Sequence, residues 1–186
     1  MTGPAPGPVA GPTAGTTGPT GQTGPTVRRA GIDDASEVAR LAELMYRALG
    51  ADLREDDWTR WRAAAATAVR SRLGADLEVV VVEDAAGSGH LVACGAATVA
   101  ERLPNPWHAQ AVVGYVQWMS TEPAFRRRGL ARAVLVGLLG WLEARGVDNV
   151  ELHASPEGDA LYRSEGFWAG TGGVAMRRRP WDPPPA

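Results

Sequence analysis

The sequence predicts a mixed α/β layer fold in a single domain. Apolar residues recur at helical spacing in two segments, Val38, Leu41, Met45 and Leu49, then Leu135, Leu138, Leu139 and Leu142. Leu77–Val82 holds four consecutive valines, which are stiff at χ1 and favour extended chain. Helical and extended segments alternate along the chain, and such alternation builds layers of helices on a sheet.

Met1–Thr26 is almost entirely Gly, Pro, Thr and Ala, with too little apolar surface to offset its ordering entropy. Residues 1–26 are therefore expected to form a disordered leader. Gly15, Gly18, Gly21 and Gly24 keep a three-residue period, too short a run for a triple helix. Val27–Ala30 reads as a strand. Asp33 or Asp34 can cap a helix over Ala35–Leu49, which Gly50 ends. An alanine-rich helix is expected over Trp58–Leu73. Strands follow at Leu77–Val82, Leu91–Ala100 and Val112–Thr121, with a turn at Ala86–Gly89. The loop Leu103–His108 is too proline-rich for regular structure, and its readings as a substrate lid or a stiff connection both stay open. Gly129–Arg145 is the clearest helix. Asn149–Ala154 reads as a strand, Glu157–Ser164 as a short helix, and Phe167–Ala169 and Val174–Arg177 as the last strands. The domain is expected over 27–179, with a proline-rich tail at 180–186.

Composition excludes several chemistries. All 19 basic residues are arginine. Without lysine there is no Walker A lysine, no kinase phosphate-binding lysine and no Schiff-base lysine. One cysteine, Cys94, allows no internal disulfide and no cysteine-rich zinc site. His90, His108 and His153 lack metal spacing, so no metal is expected. The formal charge of −2 argues against nucleic acid as a partner. The longest apolar runs reach about half of the roughly 20 residues a membrane helix needs, and no secretory signal is visible. A cytoplasmic protein without a membrane partner is the expectation. A homodimer is compatible with the sequence.

The most informative segment runs from Val116 to Arg132. A strand leads into the turn Arg126-Arg127-Arg128-Gly129, and Leu130-Ala131-Arg132 opens a long helix. The first N–H groups of a helix have no internal partner, and that end carries about half a positive charge. A glycine lets a phosphate approach the backbone, and arginines add charge-assisted contacts. This order of elements favours an anion site over a merely solvated arginine face. A second segment, Glu151 to Phe167, ends a strand and delivers Tyr162 from a short helix. A lone tyrosine is more often a core residue with a satisfied hydroxyl.

The two segments together resemble the GCN5-related N-acetyltransferase (GNAT) family. The first signature is Arg126-Arg127-Arg128-Gly129-Leu130-Ala131, and the second is Leu161-Tyr162-Arg163-Ser164-Glu165-Gly166-Phe167. The resemblance covers about Val27 to Arg179. It implies a mostly antiparallel central sheet of six to seven strands, helices on both faces, and splayed strands at a cofactor cleft. It implies acetyl-CoA as cosubstrate and an unidentified amine as acceptor. Arg126, Arg127, Arg128, Gly129, Leu130, Ala131 and Arg132 would bind the pyrophosphate. Met119, Ser120 and Thr121 would offer backbone groups to the pantetheine, with the Met119 N–H polarising the thioester carbonyl. Tyr162 would protonate the departing thiolate.

Two departures stand out. Many members have asparagine where this chain has Ser155, which can still hydrogen-bond the cofactor. Others carry a carboxylate base where this chain has Tyr115. An amine of lysine type has a pKa near 10.4, so only about one in a thousand or fewer is neutral at pH 7. Glu101, His108, Tyr115 or a water are the candidate proton acceptors. A non-catalytic acyl-CoA-binding sensor or partner domain on the same fold is the alternative. Gly170–Ala175 fits a loose dinucleotide pattern, but no strand-helix-strand unit can follow it, so it reads as a turn. Cys94, among Ala and Gly in a strand, reads as a small buried residue.

Overall fold

The computed structural model of the chain describes residues 26–85, 89–104, 106 and 111–170. The expected leader up to residue 25, positions 86–88 of the expected turn, His108, the strand Val174–Arg177 and the tail 180–186 lie outside the described residues.

Among the described residues the helices and strands follow in this order: β1 Thr26–Arg29, α1 Ala35–Ala48, α2 Glu55–Arg72, β2 Leu77–Glu83, β3 Leu91–Glu101, β4 Val112–Thr121, α3 Leu130–Glu143, β5 Val150–Leu152 and α4 Asp159–Ser164. The sheet they form has five strands in the order β1-β2-β3-β4-β5. Every pair is antiparallel except β4–β5, which is parallel.

The valine run explains why β2 sits inside the molecule. Successive side chains of a strand point to opposite faces. Val79 and Val81 pack with Val38, Leu41 and Val69 of α1 and α2, whereas Val80 and Val82 pack with Leu135, Leu138 and Leu142 of α3. Both faces are covered, so the strand reads as a continuous apolar run. Helix α2 starts at Glu55, earlier than the expected Trp58. Glu55, Asp56 and Asp57 occupy its first turn and Arg70 and Arg72 its last, which complements the helix dipole at both ends. Trp58 is its buried anchor, 1% exposed.

The expected six to seven strands exceed the five found among the described residues. Phe167–Ala169 is irregular. The Phe167 N–H donates to the Tyr162 carbonyl at 3.0 Å, so it closes the end of α4 instead of entering a ladder.

Strand β4 contains a bulge. Ala96 pairs with Gln117 and Cys94 with Ser120, so Trp118 and Met119 together face Gly95. Trp118 takes the left-handed backbone at φ 56°. A β-carbon on Gly95 would lie 2.4 Å from Met119 Sδ and 2.7 Å from Val134 Cγ1. Glycine is therefore what admits the Met119 side chain between the sheet and α3. Gly95→Ala is expected to cost about 1–3 kcal/mol by overpacking, read as a fall of several degrees in Tm by calorimetry. An unchanged Tm would show that the bulge yields freely.

Candidate active site

The pairing of β4 with β5 covers only Gly114–Val150, Tyr115–Glu151 and Val116–Leu152. Beyond Val116 the ladder ends, because β5 stops at Leu152. Gln117–Thr121 thus has no β5 partner along that edge. Bulge residue Trp118 turns toward the α1–α2 face, where its Nε1–H donates to Tyr46 Oη at 3.2 Å and its ring meets Trp61 edge-on at 6.0 Å. Met119 packs on the α3 face. Cys94 lies fully buried beneath the bulge, its Sγ 3.5 Å from the Trp118 carbonyl. Burial pushes its thiol up to about 12, so it is no nucleophile.

The turn after β4 is held from three sides. The Glu122 N–H donates to the Val92 carbonyl at 2.9 Å, and its carboxylate accepts from Arg40 of α1 at 2.7 Å. Arg126 Nε donates to the Thr121 carbonyl at 3.1 Å. Arg128 Nη2 donates to the Ala124 carbonyl at 3.1 Å, and its guanidinium lies over the Phe125 ring at 5.1 Å. Arg127 adopts φ 62° and Gly129 φ 78°. Gly129 then caps α3, with no other atom within 4 Å of where a β-carbon would stand. The helix ladder begins with the Ala133 N–H on the Gly129 carbonyl, so the amides of Leu130, Ala131 and Arg132 precede it. No side chain caps this end, and its first turn has no acid. The result is an open, positive helix terminus beside three exposed arginines.

Arg132 is placed differently. Its guanidinium pairs with Glu165 and donates to Ser164 Oγ at 2.9 Å. It ties α3 to α4 and does not join the arginines of the turn. Ser155 serves the chain just before α4. Its Oγ accepts the Gly158 N–H at 3.3 Å, and its carbonyl accepts from Gly158 and Asp159 at 3.0 Å.

Tyr162 rests on Gly158, where an added β-carbon would lie 2.7 Å from its Cε2. Its ring meets Phe167 edge-on at 6.0 Å. Burial raises its pKa above the ordinary phenol value, which keeps the hydroxyl protonated. Tyr162 lines a cavity of about 830 Å³ together with Leu139, Phe167, Tyr115 and His153. Met119–Thr121 and the arginine turn are not part of this cavity's lining.

Two other residues on that wall are joined. Tyr115 Oη lies 2.6 Å from His153 Nδ1, and the rings meet edge-on at 5.9 Å. Tyr115 belongs to β4, whereas His153 immediately follows β5. His153 is the residue that sequence reading passes over, because its spacing fits no metal site. Glu101 stands at the far end of β3, paired with Val112, away from the point where the β4–β5 ladder ends. Among the described residues no His, Cys, Asp and Glu group could hold a metal ion, and no helix is long and apolar enough to cross a membrane.

The site thus combines a bulged strand, its edge unpaired beyond Val116, with a glycine-capped helix that follows it. Residues 38–167 match the model of the acetyltransferase (GNAT) family. The chain belongs to that family. It is similar to glucosamine 6-phosphate N-acetyltransferase 1 of Oryza sativa subsp. japonica, 36% identical over 95 residues. That stretch is 51% of this chain and 55% of the rice protein, so the likeness spans about half of each. Among solved structures, a GCN5-related N-acetyltransferase from Ralstonia eutropha JMP134 superposes with a TM-score of 0.70 at 27% identity, over 83% of this chain and 99% of that one. A predicted acetyltransferase from Clostridium acetobutylicum, solved with acetyl-CoA, shares the fold with a TM-score of 0.69 at 20% identity, over 82% and 96%.

Proposed function

We propose that the protein is an acetyl-CoA-dependent N-acetyltransferase whose acceptor is a primary amine. What supports this reading is the β4 edge left unpaired beyond Val116, the open N-terminus of α3 that follows it, and a protonated phenol in the cavity beside β5. The cradle fits a pyrophosphate, because the space before Gly129 is empty and the amides of Leu130–Arg132 point their charge outward without a capping acid. Arg126, Arg127 and Arg128 would add charge-assisted contacts. Arg132 acts as a strut between α3 and α4. The unpaired edge of Met119–Thr121 would receive the pantetheine amide groups, and the Met119 N–H would polarise the thioester carbonyl. The amine attacks the acetyl carbon directly, a C–N bond forms as the C–S bond breaks, and Tyr162 gives its proton to the thiolate.

Glucosamine phosphate and aminoglycosides enter the first test because related or similarly folded proteins bear those names. Peptide N-terminal amines and polyamines complete the panel. Release of free coenzyme A thiol, matched by mass-detected acetylation of one of these amines, is the expected result. A chain that binds acetyl-CoA tightly and turns over no amine would favour the second reading, a non-catalytic acyl-CoA-binding domain. The tyrosine at position 115, where a carboxylate base would be expected, is what favours that reading.

A further inference from the structure

We propose that Tyr115 and His153 form a proton relay that neutralises the acceptor amine. The inference rests on the N-acetyltransferase reading and deepens it. Tyr115 is paired to Glu151 one step before the β4–β5 ladder ends, and His153 is the first residue after β5. The dyad therefore bridges β4 and the residue after β5 near the end of their ladder. Both residues line the cavity that also holds Tyr162, so the proton donor and the proton acceptors share one space.

The chemistry follows from the 2.6 Å contact between Tyr115 Oη and His153 Nδ1. A phenol alone is a poor base at neutral pH, since it titrates near 10. A hydrogen-bonded imidazole changes that, because imidazole is the side chain that gains a proton near neutrality. The relay uses the tautomer in which His153 carries its proton on Nε2 and Nδ1 accepts from the Tyr115 hydroxyl. An ammonium N–H proton then passes to Tyr115 Oη as the Tyr115 proton passes to His153 Nδ1. The phenol stays neutral, the imidazole becomes imidazolium, and the amine gains the lone pair that forms the C–N bond. His153 is exposed and returns its proton to water.

Among the described residues, the acidic groups around the cavity are held by arginines or stand apart. Glu151 pairs with Arg102 at 3.2 Å, Asp159 with Arg163 at 2.7 Å, and Glu165 with Arg132. Asp148 precedes β5 and lies at the opposite end of that strand from His153. Tyr115 is thus the residue on β4 whose hydroxyl meets an imidazole beside the end of the β4–β5 ladder.

Tyr115→Phe, His153→Gln and the double variant test the relay, with kcat and KM for the amine followed against pH. Each single change is expected to lower kcat at neutral pH by at least about tenfold, a floor set below the roughly 10²–10⁴-fold that positioned acid–base groups contribute. The double variant falls no further than the worse single one, because the two act as a unit. The lost rate returns as pH rises toward the pKa of the amine itself, which then supplies its own neutral form. Affinity for acetyl-CoA stays within a few-fold. Phenylalanine keeps the ring and His153 is exposed, so a thermal melt near that of the wild type is expected for both. Folded variants with the wild-type pH profile, or losses that multiply in the double variant, overturn the relay alone. A wild-type chain that acetylates no amine overturns the relay and the N-acetyltransferase reading together.

Discussion

Gly129→Glu is expected to abolish acetyl-CoA binding while the domain stays folded. The residue sits at φ 78°, where any side chain costs about 1–2 kcal/mol of backbone strain. That strain acts on the fold, and a modest fall in Tm reports it. The carboxylate acts on the site. It stands at the open positive end of α3, accepts the same amides a phosphate would use, and adds a like charge in front of the pyrophosphate. An acid at that end also caps the helix, which offsets part of the strain. Losing two charge-assisted hydrogen bonds at about 1.5–3 kcal/mol each raises Kd by roughly 100-fold or more. Gly129→Ala separates the two effects, because its β-carbon meets no atom within 4 Å. Alanine carries the strain without the charge and is expected to bind within about tenfold of wild type. Calorimetric titration decides it, and a folded Gly129→Glu variant with unchanged affinity removes the anion role of the turn.

Tyr162→Phe is expected to lower kcat by at least about tenfold with little change in acetyl-CoA affinity. The departing thiolate leaves more readily if it is protonated as the C–S bond breaks. Burial raises the Tyr162 pKa, so the donor stays loaded at neutral pH and stays loaded as pH rises to the ordinary phenol value. Loss of the alkaline limb in the phenylalanine variant is the matching signature. The contacts with Gly158 and Phe167 are made by the ring, which phenylalanine keeps, so Tm barely moves. If the variant turns over at near wild-type rate with the true acceptor, Tyr162 is only a wall of the thiol pocket.

The parts of the fold that local patterns specify were legible in the sequence. Of the helical periods, the structure buries Val38 and Leu41 of α1 and Leu135, Leu138 and Leu142 of α3, along with the valines of β2, whereas Leu49 falls past the end of α1 and stands exposed. The arginine turn was legible because Gly129 marks a left-handed cap just before an apolar helix. What depends on distant register was not. The bulge in β4 places Trp118, not a glycine, in the left-handed region, and only the partner strand reveals the extra residue. The Tyr115–His153 contact joins residues 38 positions apart through a parallel pairing that neither segment encodes alone. Arg132 falls inside the basic motif, yet Glu165 claims it, because α4 packs beside α3. Phe167 looked extended by composition, but its amide is used to close α4.

Residue-resolved amide NMR of the full chain, titrated with acetyl-CoA, tests the placement of the ligand most directly. The unpaired β4 edge and the α3 terminus are expected to respond together, with the largest shifts at the amides of Met119–Thr121 and Gly129–Arg132. Saturable binding whose shifts leave both segments unmoved, or no binding at millimolar acetyl-CoA, would contradict the assignment of this site.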